Sequence, residues 1–223
     1  MDFMKLLRSF EEFLFEATSW LVFYPLTMWR VVIHPLRTMA YSDAEQGDDE
    51  AGRYDDALTP PLFLLVTVVL MNLIAQVAHL PHPEAGGGTL RHAVFDSPQN
   101  AALFRALIFS LIPLVAAVAL LRLQGARLSR ESLRAPFYAQ CYLAGPCAVA
   151  VIGGGIIFLR HDISNLWGLA AMLGGLAWFL TAQTLWFSVR LGIGRLRAAG
   201  VAVGALLLAW VIFLAIMTPV TLF

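Results

Sequence analysis

Charged residues are scarce in this chain and are almost missing from its long apolar segments. Asp, Glu, Lys and Arg make up 13% of the 223 residues, whereas hydrophobic residues make up 59% and the mean hydropathy is +0.74. Arg105 is the one charged residue inside such a segment, and it lies near the segment's end. This composition excludes a soluble single domain, which would have to expose long uncharged stretches to water.

Residues and motifs that serve catalysis are also missing. The two cysteines, Cys141 and Cys147, lie on different faces of one predicted helix, which excludes a disulfide between them and favours a role as small apolar residues. The sequence has no HExxH or GxSxG motif, no Walker A loop and no dinucleotide fingerprint. No carboxylate lies within an apolar segment, although proton-coupled carriers usually need one. We therefore predict a non-enzymatic protein without a cofactor.

Five apolar segments are long enough to cross a bilayer. They are Pro61–Leu80, Ala101–Leu121, Phe137–Leu159, Leu166–Ser188 and Ala199–Val220. Because a helix rises about 1.5 Å per residue, about 20 residues match a hydrocarbon core of about 30 Å. Proline is expected to kink two of these helices, at Pro113 and Pro146. The sequence predicts an all-α, polytopic integral membrane protein whose five transmembrane helices occupy residues 61–220.

Arginine alternates between the connecting segments and predicts the orientation of the chain. The arginine-rich side would contain Lys5, Arg8, Arg30, Arg37, Arg53, Arg122, Arg127, Arg130, Arg134, Arg190, Arg195 and Arg197. The opposite loops contain Arg91 and Arg160. Since basic residues in short loops resist translocation, we expect a cytoplasmic N-terminus and a periplasmic C-terminus. The preference for arginine over lysine, with many alanines, favours a bacterial origin and hence the inner membrane.

The N-terminal sixty residues precede the first span and divide into two parts. Residues 1–41 combine apolar residues at helical spacing with interrupting charges, which predicts an amphipathic helix in the cytoplasmic interface, kinked or broken at Pro25 and Pro35. Residues 42–60 are acidic and are predicted to form a solvated linker, although a cation or partner site is an alternative. The basic clusters are short and close to the membrane, so we expect no nucleic-acid partner.

Polar residues within the spans are candidates for function because they are costly in hydrocarbon. Asn72, Gln76 and His79 recur on one face of the first predicted helix. They are predicted to form hydrogen bonds between helices, and a substrate or proton path is the alternative. Arg105 is expected to extend its guanidinium to the outer interface. His79, His82 and His92, near Glu84 and Asp96, offer metal ligands, but their loose spacing favours a flexible loop and no metal site.

Small residues at helical spacing predict close helix packing. Glycines and one alanine of this kind fall in the last three spans, at Gly153, Gly154, Gly155, Ala170, Gly174, Gly200 and Gly204. Small residues let helix backbones approach one another in membranes. The same pattern fits a compact five-helix bundle and a homo-oligomer.

Two short patches carry a resemblance to a known family. Tyr54-Asp-Asp-Ala-Leu-Thr-Pro60-Pro61 precedes the first span, and Tyr142-Leu-Ala-Gly-Pro146 lies in the third. With the five-span layout of residues 54–220, they resemble the Yip-domain family, named for interaction with Rab-type GTPases. The first patch is similar to that family's acidic and aromatic sequence before span one, without its Tyr-Gly-Pro triplet. The second is similar to its Gly-Tyr-x-x-x-Pro signature, with Cys141 in place of the glycine.

The resemblance implies a protein that works through partners and lipids. Eukaryotic Yip proteins act in vesicle trafficking and membrane shaping, and bacterial members are often labelled permeases. We therefore expect a membrane scaffold whose partners are the lipid bilayer and a second copy or another membrane protein. A small permease that uses the Asn72 stripe is one alternative. An accessory subunit that docks through its glycine-rich faces is the other.

Overall fold

The computed structural model describes residues 3–47, 54–78, 97–160 and 162–222, and helices make up 86% of it. The helices are α1 (Phe3–Ile33), α2 (Pro35–Glu45), α3 (Pro60–Val77), α4 (Pro98–Phe109), α5 (Leu111–Leu123), α6 (Arg130–Leu159), α7 (Asn165–Leu191) and α8 (Arg195–Leu222). No strand occurs within these residues. The all-α prediction is confirmed.

Five helical segments are long and apolar enough to cross a membrane, as predicted. They are Pro60–Val77, Leu103–Leu123, Arg130–Leu159, Asn165–Leu191 and Arg195–Thr218. Several extend beyond the predicted bounds, because polar residues that border the apolar segments continue the helix. Ser129, for example, starts α6 about two turns before the apolar run, since its hydroxyl accepts a hydrogen bond from the Ser132 N–H at 3.1 Å.

The second span consists of two helices, α4 and α5, that meet at Ser110. Pro113 accounts for the break, because it has no N–H to donate to the carbonyl of Phe109 and its ring crowds that carbonyl. Hydrogen bonds on either side persist, from the Ser110 N–H to Ala106 and from the Leu114 N–H to Ser110. In contrast, α6 continues as a helix through Pro146 and α1 continues through Pro25. The predicted break at Pro35 is observed, since α2 begins there.

The third span, α6, is the central element of the bundle. It packs against α2, α3, α5 and α7, while α8 packs against α5 and α7. Half of the apolar stretch of α6 is buried inside the bundle, compared with 17% of that of α8. α8 therefore presents most of its surface to the surroundings. The main core cluster joins Leu143 and Cys147 of α6 to Phe179 and Trp186 of α7.

The arginine-rich connections lie on one side of the bundle, as the alternation predicts. Gln124, after α5, donates a hydrogen bond to the carbonyl of Arg190 near the end of α7, at 3.3 Å. Gly125 and Gly192 terminate these two helices in the left-handed conformation (φ of 68° and 63°), which glycine adopts without strain. Arg190 also forms an ion pair with Asp43 of α2, so the N-terminal helices occupy this side too.

Glycine permits close backbone contact between α6 and α7. A Cβ on Gly168 would lie 2.5 Å from the Phe158 nitrogen and 2.6 Å from the Gly154 oxygen. A Cβ on Gly175 would lie 2.1 Å from the Cβ of Ala150. Gly154 and Gly168 therefore meet in this interface, and Gly175 meets Ala150 there; Gly168 and Gly175 were not identified from the sequence.

The remaining predicted packing residues lie outside the close contact between α6 and α7. Gly155, Gly174, Gly200 and Gly204 would place a Cβ in open space, Gly153 would contact only the Met71 sulfur at 4.0 Å, and Ala170 is exposed. Ala170 and Gly174 lie on the outward face of α7, and Gly200 and Gly204 on the outward face of α8. These four residues do not build the bundle, so they remain candidates only for contacts outside it.

The N-terminal segments differ from the predicted division at residues 41 and 42. α2 continues to Glu45, and Tyr54 and Leu58 are buried. Apolar side chains within the acidic segment explain the difference, because Tyr54 and Leu58 join the core while the Asp55 and Asp56 side chains stay exposed. The outer-loop histidines His79, His82 and His92 lie outside the described residues. Within the described ranges, no group of three or more His, Cys, Asp or Glu residues could hold a metal ion.

Substitution of Gly168 tests the α6–α7 contact. We expect Gly168→Ala to lower the free energy of unfolding by about 1–3 kcal/mol, because the added methyl group meets backbone atoms that cannot rotate away. Unfolding in mild detergent, followed by circular dichroism, measures the change. Gly174→Ala is the matched control on the open face and should not destabilise the protein. Equal losses in both variants would contradict the assigned interface.

Candidate functional site

The candidate site is the N-terminal layer, which we define as α1, α2 and the turn Tyr54–Thr59. Pro35 and Pro60 start α2 and α3 at helix position N1, where their missing N–H costs no hydrogen bond. The layer packs mainly on α6, with further contacts from α2 to α7. Five hydroxyl or carboxylate side chains make hydrogen bonds within the layer: Thr27, Tyr41, Ser42, Glu45 and Asp56.

Leu58 links the layer to the bundle through its own backbone. The Leu58 N–H donates to the Thr27 hydroxyl of α1 at 3.2 Å. The Leu58 carbonyl accepts a hydrogen bond from the Tyr142 hydroxyl of α6 at 2.6 Å. Both groups are buried, and buried backbone polar groups that lack a partner are costly. One peptide segment therefore joins α1, the turn and the central span.

An aromatic cluster surrounds this link. Tyr142 has 0% of its surface exposed, and its ring centroid lies 5.7 Å from that of Phe63, edge to face. Phe63 in turn lies 5.5 Å from the ring of Tyr24 in α1. A Cβ on Gly145 would lie 2.3 Å from a ring carbon of Phe63, so glycine provides the space for this ring. Edge-to-face aromatic pairs add about 0.5–1.5 kcal/mol each beyond area burial.

Asp56 connects α1 and α2 at the outer surface of the layer. Its carboxylate accepts a hydrogen bond from the Tyr41 hydroxyl at 2.8 Å and forms an ion pair with Arg30 at 2.7 Å. The Tyr41 hydrogen bond, followed by the Arg30 guanidinium, holds the pKa of Asp56 below its ordinary value of 3.8. Burial, together with Asp56, raises the pKa of Tyr41. The carboxylate is therefore ionised, and the tyrosine is a neutral donor, at physiological pH.

Tyr54 adopts a conformation that is rare for residues other than glycine. Its φ of 60° lies in the left-handed region, which costs about 1–2 kcal/mol for an L-residue. Three contacts hold it: its N–H donates to the Glu45 carboxylate at 2.7 Å, and its hydroxyl lies 2.9 Å from the Gln46 amide and 3.1 Å from the Ser42 hydroxyl. Burial raises the pKa of the Tyr54 hydroxyl, which stays protonated. The end of α2 thus fixes the turn.

A second attachment joins α2 to the end of α7. Asp43 forms an ion pair with Arg190, whose guanidinium carbon also lies 4.5 Å from the centre of the Trp186 ring. An arginine over an indole face gains cation–π attraction, which is stronger when the pair is partly desolvated. The N-terminal layer is therefore attached at two points, one on α6 and one on α7.

The predicted polar stripe does not belong to this layer. Asn72 of α3 is buried, and its amide nitrogen donates to the Val68 carbonyl at 2.7 Å. Its amide oxygen accepts a hydrogen bond from Arg105 of α4. Asn72 thus bonds to a second helix, and Arg105 turns towards α3, contrary to the expected extension to the interface. Gln76 is half-buried, and His79 lies outside the described residues.

The two family-like patches meet in space. Tyr142 contacts Leu58 of the first patch, and Tyr54, Leu58 and Tyr142 share one buried cluster with Val31 and Phe63. Pro146 is buried one turn beyond Tyr142. Sequence reasoning missed Thr27, Asp43 and Arg190, because pairing between residues that are distant in sequence leaves no local pattern. Comparison of the chain with family models, with curated proteins and with solved structures gave no match.

The variant Tyr142→Phe tests the link to Leu58. It keeps the ring but leaves the buried Leu58 carbonyl without its partner, so we expect the free energy of unfolding to fall by about 1–3 kcal/mol. Detergent-based chemical unfolding measures the change. Tyr138→Phe, one turn earlier on α6, is the control, because its hydroxyl makes no hydrogen bond with the described residues. An unchanged Tyr142→Phe stability would contradict the assigned role of this hydrogen bond.

Proposed function

We propose that the protein is a non-enzymatic membrane scaffold of the Yip type, which acts through lipid and protein contacts of its N-terminal layer. α1 lies in the inner interface of the membrane, while α2 and the turn fasten it to the five spans. The chain resides in a bacterial inner membrane with a cytoplasmic N-terminus and a periplasmic C-terminus. The arginine-rich loops on the α2 side support this orientation.

The apolar outward stripe of α1 carries the proposal. Side chains on this face are largely exposed, with 56% for Phe10, 78% for Leu21 and 67% for Trp29. The opposite face packs on the bundle through Trp20, Phe23, Tyr24, Thr27, Met28 and Val31. Large exposed apolar patches indicate contact with a membrane or a protein. An interfacial helix with this pattern would bury the stripe among acyl chains.

The height of α1 relative to the spans supports an interfacial location. Tyr24 packs against Phe63, which lies in the first turn of α3. α1 therefore runs beside the start of a span, where hydrocarbon gives way to headgroups. Exposed Glu11 and Glu16 and the pair Arg30–Asp56 are compatible with that level, because water and headgroups solvate them. A fully spanning α1 would carry the glutamates into hydrocarbon at high cost.

The alternatives receive less support from the geometry. A permease path along Asn72 is disfavoured, because both ends of its amide already have partners in the protein. An accessory-subunit role has some support from α8, whose outward face combines Gly200 and Gly204 with exposed Leu207 and Trp210. The same face fits lipid equally well.

Site-specific photocrosslinking in native membranes tests the proposal. A benzoyl-phenylalanine at Leu21, on the outward stripe, is expected to form adducts with phospholipids, detected by mass spectrometry. The same probe at Tyr24 is the matched control and should crosslink within the chain to α3, because that side chain packs on Phe63. A probe at Glu16 should give few lipid adducts, because Glu16 lies across the α1 helix from Leu14, which is 45% exposed on the outward stripe.

The products separate the alternatives. Phospholipid adducts at Leu21, with few at Glu16, would support the interfacial scaffold. A single stoichiometric protein adduct at Leu21 would favour the accessory subunit instead. Absence of both kinds of adduct at Leu21, with Tyr24 still crosslinked to α3, would contradict the proposed location of α1.

A further inference from the structure

Two glutamines inside the spans have no hydrogen-bond partner in the described chain. Gln140 of α6 and Gln183 of α7 are each 1% exposed, and neither the amide nitrogen nor the amide oxygen of either residue is bonded. Buried polar atoms in proteins are almost always paired, with protein groups or with ordered water. Four unpaired amide atoms in two neighbouring helices therefore call for a bonding partner that the described residues do not supply.

The helix register brings the two glutamines to the same level. α6 and α7 are antiparallel neighbours, and Ala150 meets Gly175 at their contact. From that contact, Gln140 lies ten residues back along α6 and Gln183 lies eight residues forward along α7. At about 1.5 Å per residue, the two positions differ in height by about 3 Å. That offset is well within the reach of two glutamine side chains.

Both glutamines also lie on the stripes that form the interface. Gln140 lies four turns from Gly154 on one stripe of α6, and Gln183 lies three turns from Met172 on one stripe of α7. Gly154 and Met172 are in direct contact, since a Cβ on Gly154 would lie 2.6 Å from the Met172 Cγ. The two amides therefore lie in the same part of the interface between α6 and α7.

The unpaired groups in this part of the α6–α7 interface are polar but uncharged. Trp186, one turn from Gln183, adds an indole Nε1 that also has no hydrogen-bond partner among the residues that the structure describes. The surrounding buried residues are apolar and include Leu143, Cys147 and Phe179. The nearest charged residue of α7 is Arg190, which lies two turns from Gln183 and over the Trp186 ring at 4.5 Å, and its charge is already paired with Asp43. Two carboxamides and an indole offer both donors and acceptors, which match a neutral ligand and give an ion no counter-charge.

We propose that Gln140, Gln183 and Trp186 form a binding site for a small, uncharged, hydrogen-bonding molecule between α6 and α7. Water is one source of this chemistry, because a buried water typically makes about three hydrogen bonds. A neutral solute of similar size, such as urea, is the other. The site is separate from the N-terminal layer and does not depend on the proposed scaffold function.

Radiolytic footprinting of the full-length protein in nanodiscs tests the site, because bound water converts to hydroxyl radicals that modify adjacent side chains. We expect Trp186 to be modified, and its rate to fall at least several-fold in the double variant Gln140→Leu/Gln183→Leu. Gln76→Leu is the matched control, a glutamine of α3 away from this interface, and should leave the Trp186 rate unchanged. Addition of urea distinguishes the sources, since a bound solute would lower the rate in the native protein and not in the double variant.

Each outcome decides the proposal. A Trp186 rate that depends on the glutamines and not on urea assigns the site to water, and a rate that depends on both assigns it to the solute. A rate that is the same in the native protein and the double variant would overturn the proposal. If the double variant does not fold, the single variants Gln140→Met and Gln183→Met, which keep the side-chain length, give the same comparison.

Discussion

The backbone of Leu58 is the point on which the arrangement of the N-terminal layer depends. Its N–H and carbonyl are bonded by side chains from two different helices, Thr27 of α1 and Tyr142 of α6. In a low-dielectric interior such bonds are strong and directional, and their loss leaves a buried polar group without a partner. The turn that contains Leu58 therefore has a defined position on the spans, and α1 and α2 take their positions from it.

The central span makes this arrangement possible by presenting different residues to different neighbours. On α6, Tyr142 and Gly145 face the N-terminal layer and Phe63, while Gly154 and Ala150 meet α7. The Asp43–Arg190 pair then ties α2 to the far end of α7. The N-terminal layer is therefore held at two points, which suits its proposed role in presenting α1 to lipids or partners.

The spans could be predicted from the sequence because hydrocarbon imposes a length and a polarity that a single segment reveals. The arginine alternation likewise predicted which loops share a side. Contacts between helices were harder to predict from the sequence. Ala170 and Gly174 match a packing pattern, yet Gly168 and Gly175 form the contact with α6. The reason is that the rotation of a helix about its axis depends on all of its neighbours together. The contact between Tyr142 and Leu58, and the burial of Gln140 and Gln183 in neighbouring helices, depend on tertiary register that local periodicity does not encode.

Hydrogen–deuterium exchange of the reconstituted protein tests the central claim most directly, which is that the N-terminal layer is a fixed part of the fold. The account predicts that amides of α2 and of the turn Tyr54–Thr59 exchange slowly, at rates comparable to the adjoining ends of α6 and α7. In particular, the Leu58 amide should be protected through its bond to Thr27. Exchange of α2 and the turn at the rate of unstructured chain, while α3, α6 and α7 remain protected, would contradict it.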